Sequence, residues 1–265
     1  MDRSYLFAPG HNPKLLAKVF DAGADAVMLD LEDAVPPDAK DTARRAVAAV
    51  LPTHPAWVRV NTAGTHWCAA DLDAVAEHAH GIRIPKTESA ADVAWVTARA
   101  PGKPIIAAIE SARGVLAAAE IAAAPGVAHL AMGGVDLARD LHADSGNLAT
   151  LYARSHLVIA PRAAGIDPPI DSVYPHLDDD AGLHEQATFA RTLGFFGKSA
   201  IHPRQLPTLH QVFTPTAEEI SWAREVIAAF HAAGGQALAL PSGEFVDLPV
   251  ANRAHRLLQL AAGSR

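Results

Sequence analysis

The chain has little of several features that mark other classes of protein. It contains one cysteine, Cys68, among 265 residues, so no internal disulfide can form. Lysine and arginine number 22 against 29 aspartate and glutamate residues, which gives a formal net charge of −7, and no basic run interleaved with aromatics occurs. These shortages argue against a disulfide framework and a nucleic-acid partner, and they favour a cytoplasmic location.

Long hydrophobic runs are also missing. The longest, from Gly114 to Val135, is interrupted by Glu120, Pro125 and His129, and the N-terminus lacks a basic segment followed by a long apolar one. We therefore expect neither a membrane-spanning helix nor a signal peptide. Although 14 histidines are present, no HExxH motif occurs among them, which argues against a zinc site.

Apolar runs of strand length alternate with alanine-rich amphipathic segments along the chain. Alternation of this kind indicates parallel strands joined by helices. We predict an α/β fold, a (β/α)8 TIM barrel, because eight candidate strands match the number that a closed barrel needs. The predicted strands are residues 4–7, 26–30, 56–60, 81–85, 105–109, 128–132, 170–173 and 196–199.

The C-terminal part of the chain exceeds what such a barrel requires. We predict that residues 1–214 form the barrel and that residues 215–265 form an extension. Within it, residues 236–248 carry glycine and proline turn signals between short apolar arms, and Pro249 opens a final helix. The extension is therefore expected to be a hairpin plus a helix that projects from the barrel.

Four of the apolar stretches carry charged residues at or near their carboxyl ends: MLDLED, VRVN, AAIE and LAMGGVD. In a parallel barrel the carboxyl ends of all strands meet at one mouth, where catalytic groups gather. Glu110 and Asp136 follow two strongly apolar strands and should point into this mouth. Two carboxylates suit Mg²⁺, which keeps several waters and completes its shell with substrate oxygens, so we predict a magnesium site at Glu110 and Asp136.

Arg59 lies within the VRVN stretch and is the candidate partner of a substrate carboxylate. Its planar guanidinium can donate two parallel hydrogen bonds to such a group. The alternative is a structural ion pair of Arg59 with Glu32 or Asp33, because such networks are common. We expect Glu32 and Asp33 to support the arginine and the waters of the metal without binding the metal themselves.

Six ordered motifs carry a resemblance to a known family over nearly the whole chain. MLDLEDAVPPDAKDTAR, VRVN, PK at positions 85 and 86, AAIES, GGVDLARDL and GFFGKSAIHPRQ resemble the citrate lyase β-subunit-like proteins of the HpcH/HpaI aldolase and citrate lyase superfamily. SYLFAPG near the N-terminus and GEFVDLPVANRA near the C-terminus are also similar to segments of that family.

The resemblance implies a barrel, usually trimeric, that cleaves or condenses acyl-CoA esters of hydroxy acids of the citryl-, malyl- or citramalyl-CoA type through an acetyl-CoA enolate. It implies Mg²⁺ on Glu110 and Asp136, and a substrate-carboxylate clamp at Arg59 with help from Glu110. In the malyl-CoA lyase branch, the aspartate of the late segment enters the active site of a neighbouring subunit as acid or base, and here it corresponds to Asp247. The expected partners are thus a CoA thioester or a hydroxy or keto acid, and two further copies of the chain.

Three other functions remain open at this stage. One is an aldolase that acts on a free 2-keto acid and an aldehyde, as in the pyruvate aldolases of the same superfamily. Another is a β subunit that needs a separate acyl carrier protein. The last is a metabolite-binding relative without turnover, because barrel architecture alone does not determine a reaction.

Overall fold

The computed structural model describes residues 1–144 and 146–263. Its strands are β1 (Ser4–Pro9), β2 (Ala26–Asp30), β3 (Trp57–Arg59), β4 (Gly81–Ile84), β5 (Ile105–Ile109), β6 (Val127–Met132), β7 (Lys198–Ala200), β8 (Leu238–Ala239) and β9 (Phe245–Val246). Its α-helices are α1 (Pro13–Leu16), α2 (Lys40–Val50), α3 (His66–Val75), α4 (Ala90–Thr97), α5 (Ala112–Leu116), α6 (Ala118–Ala122), α7 (Gly134–Asp140), α8 (Leu151–Ala164), α9 (Asp180–Leu193), α10 (Leu206–Phe213), α11 (Ala217–Ala232) and α12 (Leu248–Gly263).

Strands β1 to β7 form one curled parallel sheet in the order β6-β5-β4-β3-β2-β1-β7. Each of the strands β1 to β5 pairs with the next strand along the chain, and β7 pairs with β1. The parallel α/β arrangement that the alternation of strands and helices predicted is confirmed. The sheet therefore brings the carboxyl ends of its seven strands to the same side.

An eighth regular strand at residues 170–173 does not occur in the described chain. Ile170 and Asp171 each make one isolated parallel bridge, to β6 and β7 respectively. Prolines flank this segment on both sides (DPPIDSVYP), and proline has no backbone N–H to donate to a neighbouring strand. Seven strands and two bridging residues thus stand where the sequence predicted eight strands.

Alternate side chains of the strands face the interior of the curled sheet. Many of these side chains are apolar, and with Ile170 they form one buried cluster of Tyr5, Ala26, Met28, Trp57, Ile106, Ala108, Ala131 and Ile170. A Cβ atom at Gly81 would lie only 2.3 Å from the ring of Trp57. Glycine is therefore required on β4 to admit the indole from β3.

A buried ion network ties α8 to β7. The Asp171 carboxylate accepts one hydrogen bond from Arg154 Nη1 and one from Lys198 Nζ, both at 2.6 Å. Although burial raises the pKa of Asp171, the charges of Lys198 and Arg154 hold it below its ordinary value. The carboxylate is fully buried, so its two cations are what keep it ionised.

The described chain divides into two compact units, Asp2–His210 and the residues from Gln211 onward. In the second unit, β8 and β9 form the predicted antiparallel hairpin, and α12 follows it. Helices α11 and α12 share a buried cluster that includes Val226, Phe230, Val246 and Ala254. No helix within residues 1–144 and 146–263 is long and apolar enough to cross a membrane.

Candidate active site

The interior of the sheet changes from apolar to charged toward the carboxyl ends of the strands. Asp30, Arg59 and Arg83 occupy matching positions on the neighbouring strands β2, β3 and β4. Residues in register on parallel strands point to the same side, so these three side chains form a row. Glu110 follows the last residue of β5, and all four line one cavity of about 330 Å³.

Arg59 is held mainly by Asp30. Its Nε and Nη2 donate to the two carboxylate oxygens of Asp30 at 2.7 and 2.8 Å. Its Nη1 lies 3.2 Å from Glu32 Oε2 and 3.8 Å from Asp33 Oδ2. Although burial lowers the pKa of Arg59, the charge of Asp30 raises it above its ordinary value. The alternative of a structural ion pair is thus present in part, with Asp30 as the principal partner.

Lys86 joins the two acidic residues that were expected to support the site. Its Nζ donates to Glu32 Oε1 and, at 3.2 Å, to Asp33 Oδ1. Burial raises the pKa of Glu32 to about 7, against the opposing charges of Arg59 and Lys86. Lys86 also has a left-handed backbone (φ 49°), which a non-glycine residue adopts only where its surroundings enforce it.

The loop that carries Glu32 is anchored by a buried lysine. Lys40 Nζ donates to the carbonyl oxygens of Leu31 and Glu32 and to Asn61 Oδ1, at 2.7 to 2.8 Å. An ammonium group has three donors, and here each has an acceptor. Asn61 in turn donates to the buried carboxylate of Asp71 at 2.6 Å. The backbone at Glu32 is therefore fixed before any ligand binds.

Glu110 is buried, with 5% of its surface exposed, and its Oε2 has no hydrogen-bond partner within the described residues. Burial raises the pKa of Glu110, and the charges of Arg83, Lys86 and Arg59 oppose that effect. A Cβ atom at Gly133 would lie 2.3 Å from Glu110 Cγ, so glycine is what leaves room for this side chain. A buried carboxylate oxygen without a donor needs a cation or a ligand proton.

Asp136 lies in the first turn of α7, four residues after the end of β6. Its side chain is 24% exposed, lines the same cavity as Glu110 and accepts from Arg139 Nη2 at 2.6 Å. The start of α7 is held by a hydrogen bond from the Gly134 N–H to Ser172 Oγ at 2.9 Å. Asp136 is thus positioned by a helix and not, as the sequence suggested, by the end of a strand.

The donor set of Glu110 and Asp136 fits a magnesium ion. Across the described ranges no group of three or more His, Cys, Asp or Glu side chains could hold a metal, so a site built from protein ligands alone is absent there. Mg²⁺ does not require one, because it usually binds one or two carboxylates and fills its octahedron with water and substrate oxygens. The free Oε2 of Glu110 supplies the unsatisfied acceptor that such an ion takes.

Four of the six predicted site residues line one cavity. Arg59, Glu110, Asp136 and Asp33 line the 330 Å³ cavity, whereas Glu32 lines a neighbouring cavity of about 320 Å³. Asp247 belongs to the second unit, where its Oδ1 accepts from the Val250 N–H at the start of α12, at 3.2 Å.

Sequence reasoning did not single out Asp30, Arg83 or Ser172 at the site. A signal for the first two existed, because the two-residue period of a strand puts Asp30 on the face of Met28 and Arg83 on the face of Gly81. For Ser172 no local signal exists, because its contact with Gly134 joins residues 38 positions apart.

Comparison with known proteins identifies the family to which this chain belongs. The family model described as HpcH/HpaI aldolase/citrate lyase matches residues 3–203. The beta subunit of citrate lyase from Escherichia coli (strain K12) is 39% identical over 282 residues, which covers 98% of this chain and 93% of that protein. A (3S)-malyl-CoA thioesterase from Cereibacter sphaeroides is 40% identical over 255 residues and covers 92% of this chain and 89% of its own.

A solved structure is similar over almost the full length. It is the protein CitE from Mycobacterium tuberculosis in complex with magnesium, acetoacetate and coenzyme A, with a TM-score of 0.86 and 36% sequence identity. The match covers 98% of this chain and 97% of that one. Both compact units of the described chain therefore have counterparts in a solved relative.

Proposed function

Because this chain belongs to the HpcH/HpaI aldolase/citrate lyase family, we propose that it is a magnesium-dependent carbon–carbon lyase of acyl-CoA esters. It cleaves or forms esters of hydroxy acids of the citryl-, malyl- or citramalyl-CoA type. The observation that carries the proposal is the buried, unpartnered Oε2 of Glu110, in a cavity that Asp136 and Arg59 also line. A cavity with a free carboxylate and cationic side chains suits a metal ion together with an anionic substrate.

Glu110 and Asp136 are the proposed ligands of the metal. A cation between them would favour the ionised form of Glu110, whose pKa burial raises. When bound there, Mg²⁺ supplies stabilisation of the negative charge that develops on the substrate oxygens. The solved relative in complex with magnesium, acetoacetate and coenzyme A supports magnesium as the metal.

Arg59 is the proposed clamp for a substrate carboxylate, with help from Glu110. Asp30 fixes the plane of the guanidinium through Nε and Nη2, so the donor that we assign to an incoming anion is Nη1, which also lies 3.2 Å from Glu32 Oε2. Glu32 and Asp33, both bound to Lys86, hold this corner of the site and the waters of the metal. Such neighbours orient groups that contact the substrate and tune their charge.

Cleavage of a hydroxyacyl thioester needs two proton movements. The hydroxyl group gives its proton to a base as the carbon–carbon bond breaks, which leaves a keto acid and a thioester enolate, and an acid then delivers a proton to the enolate carbon. We assign both roles to the carboxyl group of Asp247 of a neighbouring copy in a homotrimer, which takes the hydroxyl proton and returns a proton to carbon, with residues 215–265 acting as a lid. The similarity of GEFVDLPVANRA to the corresponding family segment supports this assignment.

A product assay tests the proposal. The purified chain is incubated with malyl-, citramalyl- and citryl-CoA, with and without Mg²⁺, and acetyl-CoA and free thiol are quantified separately. We expect acetyl-CoA from at least one ester, only with Mg²⁺, and none with Glu110→Ala. Acetyl-CoA from none of the three, with or without an added acyl carrier protein, would refute the proposed lyase.

The role of Asp247 has its own test. Asp247→Asn should abolish turnover and leave magnesium binding intact, because the metal ligands belong to the other unit. Mixing Asp247→Asn with Glu110→Ala should restore about a quarter of the wild-type activity, since in randomly mixed trimers that fraction of sites combines both intact residues. No recovery in mixed oligomers would mean that Asp247 does not act across subunits, and a monomer in light scattering would exclude the trimer.

A thioesterase is the second candidate, favoured by the 40% identity to the (3S)-malyl-CoA thioesterase. It would release free thiol and the hydroxy acid from malyl-CoA, whereas the lyase releases acetyl-CoA. Two further arms added to the assay, one with a free keto acid and an aldehyde and one with the acyl carrier protein, separate the two other enzyme functions. An aldolase would act on free keto acid and aldehyde, and a β subunit would be active only with its carrier.

A single, buried cysteine without a disulfide partner is consistent with the cytoplasmic location that we propose.

A further inference from the structure

Arg83 is a second arginine of the cavity, and it has almost no protein partners. It is 3% exposed and lines the 330 Å³ cavity beside Arg59 and Glu110. Its one hydrogen bond among the described residues runs from Nη1 to Ser199 Oγ at a long 3.4 Å, and its buried Nε has no acceptor. A guanidinium carries five N–H donors, so most of its capacity is unused.

The row of side chains across three strands explains why Arg83 is left over. Asp30, Arg59 and Arg83 stand in register, so one carboxylate faces two guanidinium groups. Asp30 gives both oxygens to Arg59. Burial, and then the neighbouring charge of Arg59, lower the pKa of Arg83 to about 10, the opposite direction to Arg59.

Glu110 is the remaining carboxylate that could balance Arg83. On the proposed function, however, its free oxygen binds the metal, and a metal ion adds positive charge next to the guanidinium. A buried cation without a counter-ion is strongly unfavourable. The anion that balances Arg83 therefore has to come with the substrate.

The two arginines are close enough for one small molecule to reach both. The guanidinium carbons of Arg59 and Arg83 lie 5.0 and 5.2 Å from the centroid of the same Phe7 ring, so at most about 10 Å separates them. We infer that Arg83 binds the second carboxylate of a dicarboxylic keto-acid unit, while Arg59 binds the first. This inference rests on the proposed function and narrows the substrates to esters that release a keto dicarboxylate such as oxaloacetate.

Binding of two acids that differ by one carboxylate tests the inference without turnover. Oxaloacetate and pyruvate share the keto-acid group, and only oxaloacetate carries the second carboxylate. Their dissociation constants are measured by calorimetry at saturating Mg²⁺ for the wild type, Arg83→Met, Arg83→Lys and the exposed control Arg45→Met. Unfolding curves of each variant accompany the titrations, and Arg83→Met should not lower the free energy of unfolding, because it removes a buried charge that forms no ion pair among the described residues.

We expect the wild type to bind oxaloacetate at least about tenfold more tightly than pyruvate, the value of one charge-assisted contact. Arg83→Met should lose about 10- to 100-fold in oxaloacetate affinity and little in pyruvate affinity. Arg83→Lys should retain part of the preference, and Arg45→Met all of it. Equal affinities of the wild type for oxaloacetate and pyruvate would overturn the inference without any variant. An equal loss of affinity for both acids in Arg83→Met would also overturn it. If the protein cleaves a thioester but does not prefer oxaloacetate over pyruvate, the proposed lyase activity is supported and the proposed role of Arg83 is refuted.

Discussion

Gly133→Ala adds a single methyl group beside the proposed metal ligand Glu110. The new Cβ would lie 2.3 Å from Cγ and 2.7 Å from Cδ of the glutamate. Since carbon atoms make ordinary contact at about 3.5 Å, the side chain of Glu110 has to move by about 1 Å. The backbone of Gly133, at φ −100° and ψ 75°, is on the side of φ that other residues use, so the contact itself is the main obstacle.

A functional group has to stay within about 0.5 Å of its productive position, so this displacement should weaken the metal site. We expect the affinity for Mg²⁺ to fall by about 10- to 100-fold, the range that follows disturbance of the surroundings of a ligand. Overpacking should also lower the free energy of unfolding by about 1–3 kcal/mol. Titration calorimetry with MgCl₂ measures the first effect, and urea unfolding in EDTA measures the second.

Gly146→Ala is the matched control, because a Cβ atom there has nothing within 4 Å. It should bind Mg²⁺ with wild-type affinity and unfold at the wild-type urea concentration. An unchanged magnesium affinity in Gly133→Ala would refute the reasoning, since it would mean that Glu110 either does not move or does not bind the metal.

Three further expectations concern stability. Asp171→Asn should lower the free energy of unfolding by about 3–5 kcal/mol, because Arg154 and Lys198 lose their buried counter-charge. A loss below about 1 kcal/mol in urea unfolding would contradict a stabilising role of this ion network. Glu32 has a folded pKa of about 7 against an ordinary 4.5, so its ionisation costs stability as the pH rises through that interval. The free energy of unfolding of Glu32→Gln, relative to that of the wild type, should therefore rise by about 3 kcal/mol between pH 4.5 and 8 when both are measured in EDTA. A difference between the two proteins that does not change with pH would exclude the raised pKa of Glu32. Ser89→Ala removes the side chain that caps α4 and should cost about 1 kcal/mol, whereas an unchanged melting temperature would show that the cap contributes nothing.

The positions of the strands could be predicted because they depend on local pattern. Buried runs such as AVMLD and IIAAI are bounded by turn signals, and the alternation with helical segments is visible without knowing any contact. The prediction of a strand at residues 170–173 was wrong because the flanking prolines limit backbone pairing on both sides. Apolar character alone does not reveal how many backbone N–H groups can pair. Two bridging residues replaced the strand.

Four of the predicted site residues line one cavity in the described part of the chain, but their pairing could not be predicted. Arg59 and Glu110 were identified because each places a charge at the carboxyl end of an apolar strand. The buried Lys40 was not, because its acceptors Leu31, Glu32 and Asn61 come from two separate loops. An isolated lysine in a sequence resembles any exposed lysine, and its burial depends on distant parts of the chain.

The sequence by itself determined which faces of the strands are apolar, which of them end in charge, and which family the motifs resemble. Only the tertiary structure decided that Asp30 pairs with Arg59 and that Arg83 Nε and Glu110 Oε2 are buried without a hydrogen-bond partner among the described residues. The reason is that a two-residue period sets the face of a side chain, whereas the register between strands sets its neighbours. That register depends on nonlocal packing, such as the ring of Trp57 against Gly81, which no local stretch of sequence contains.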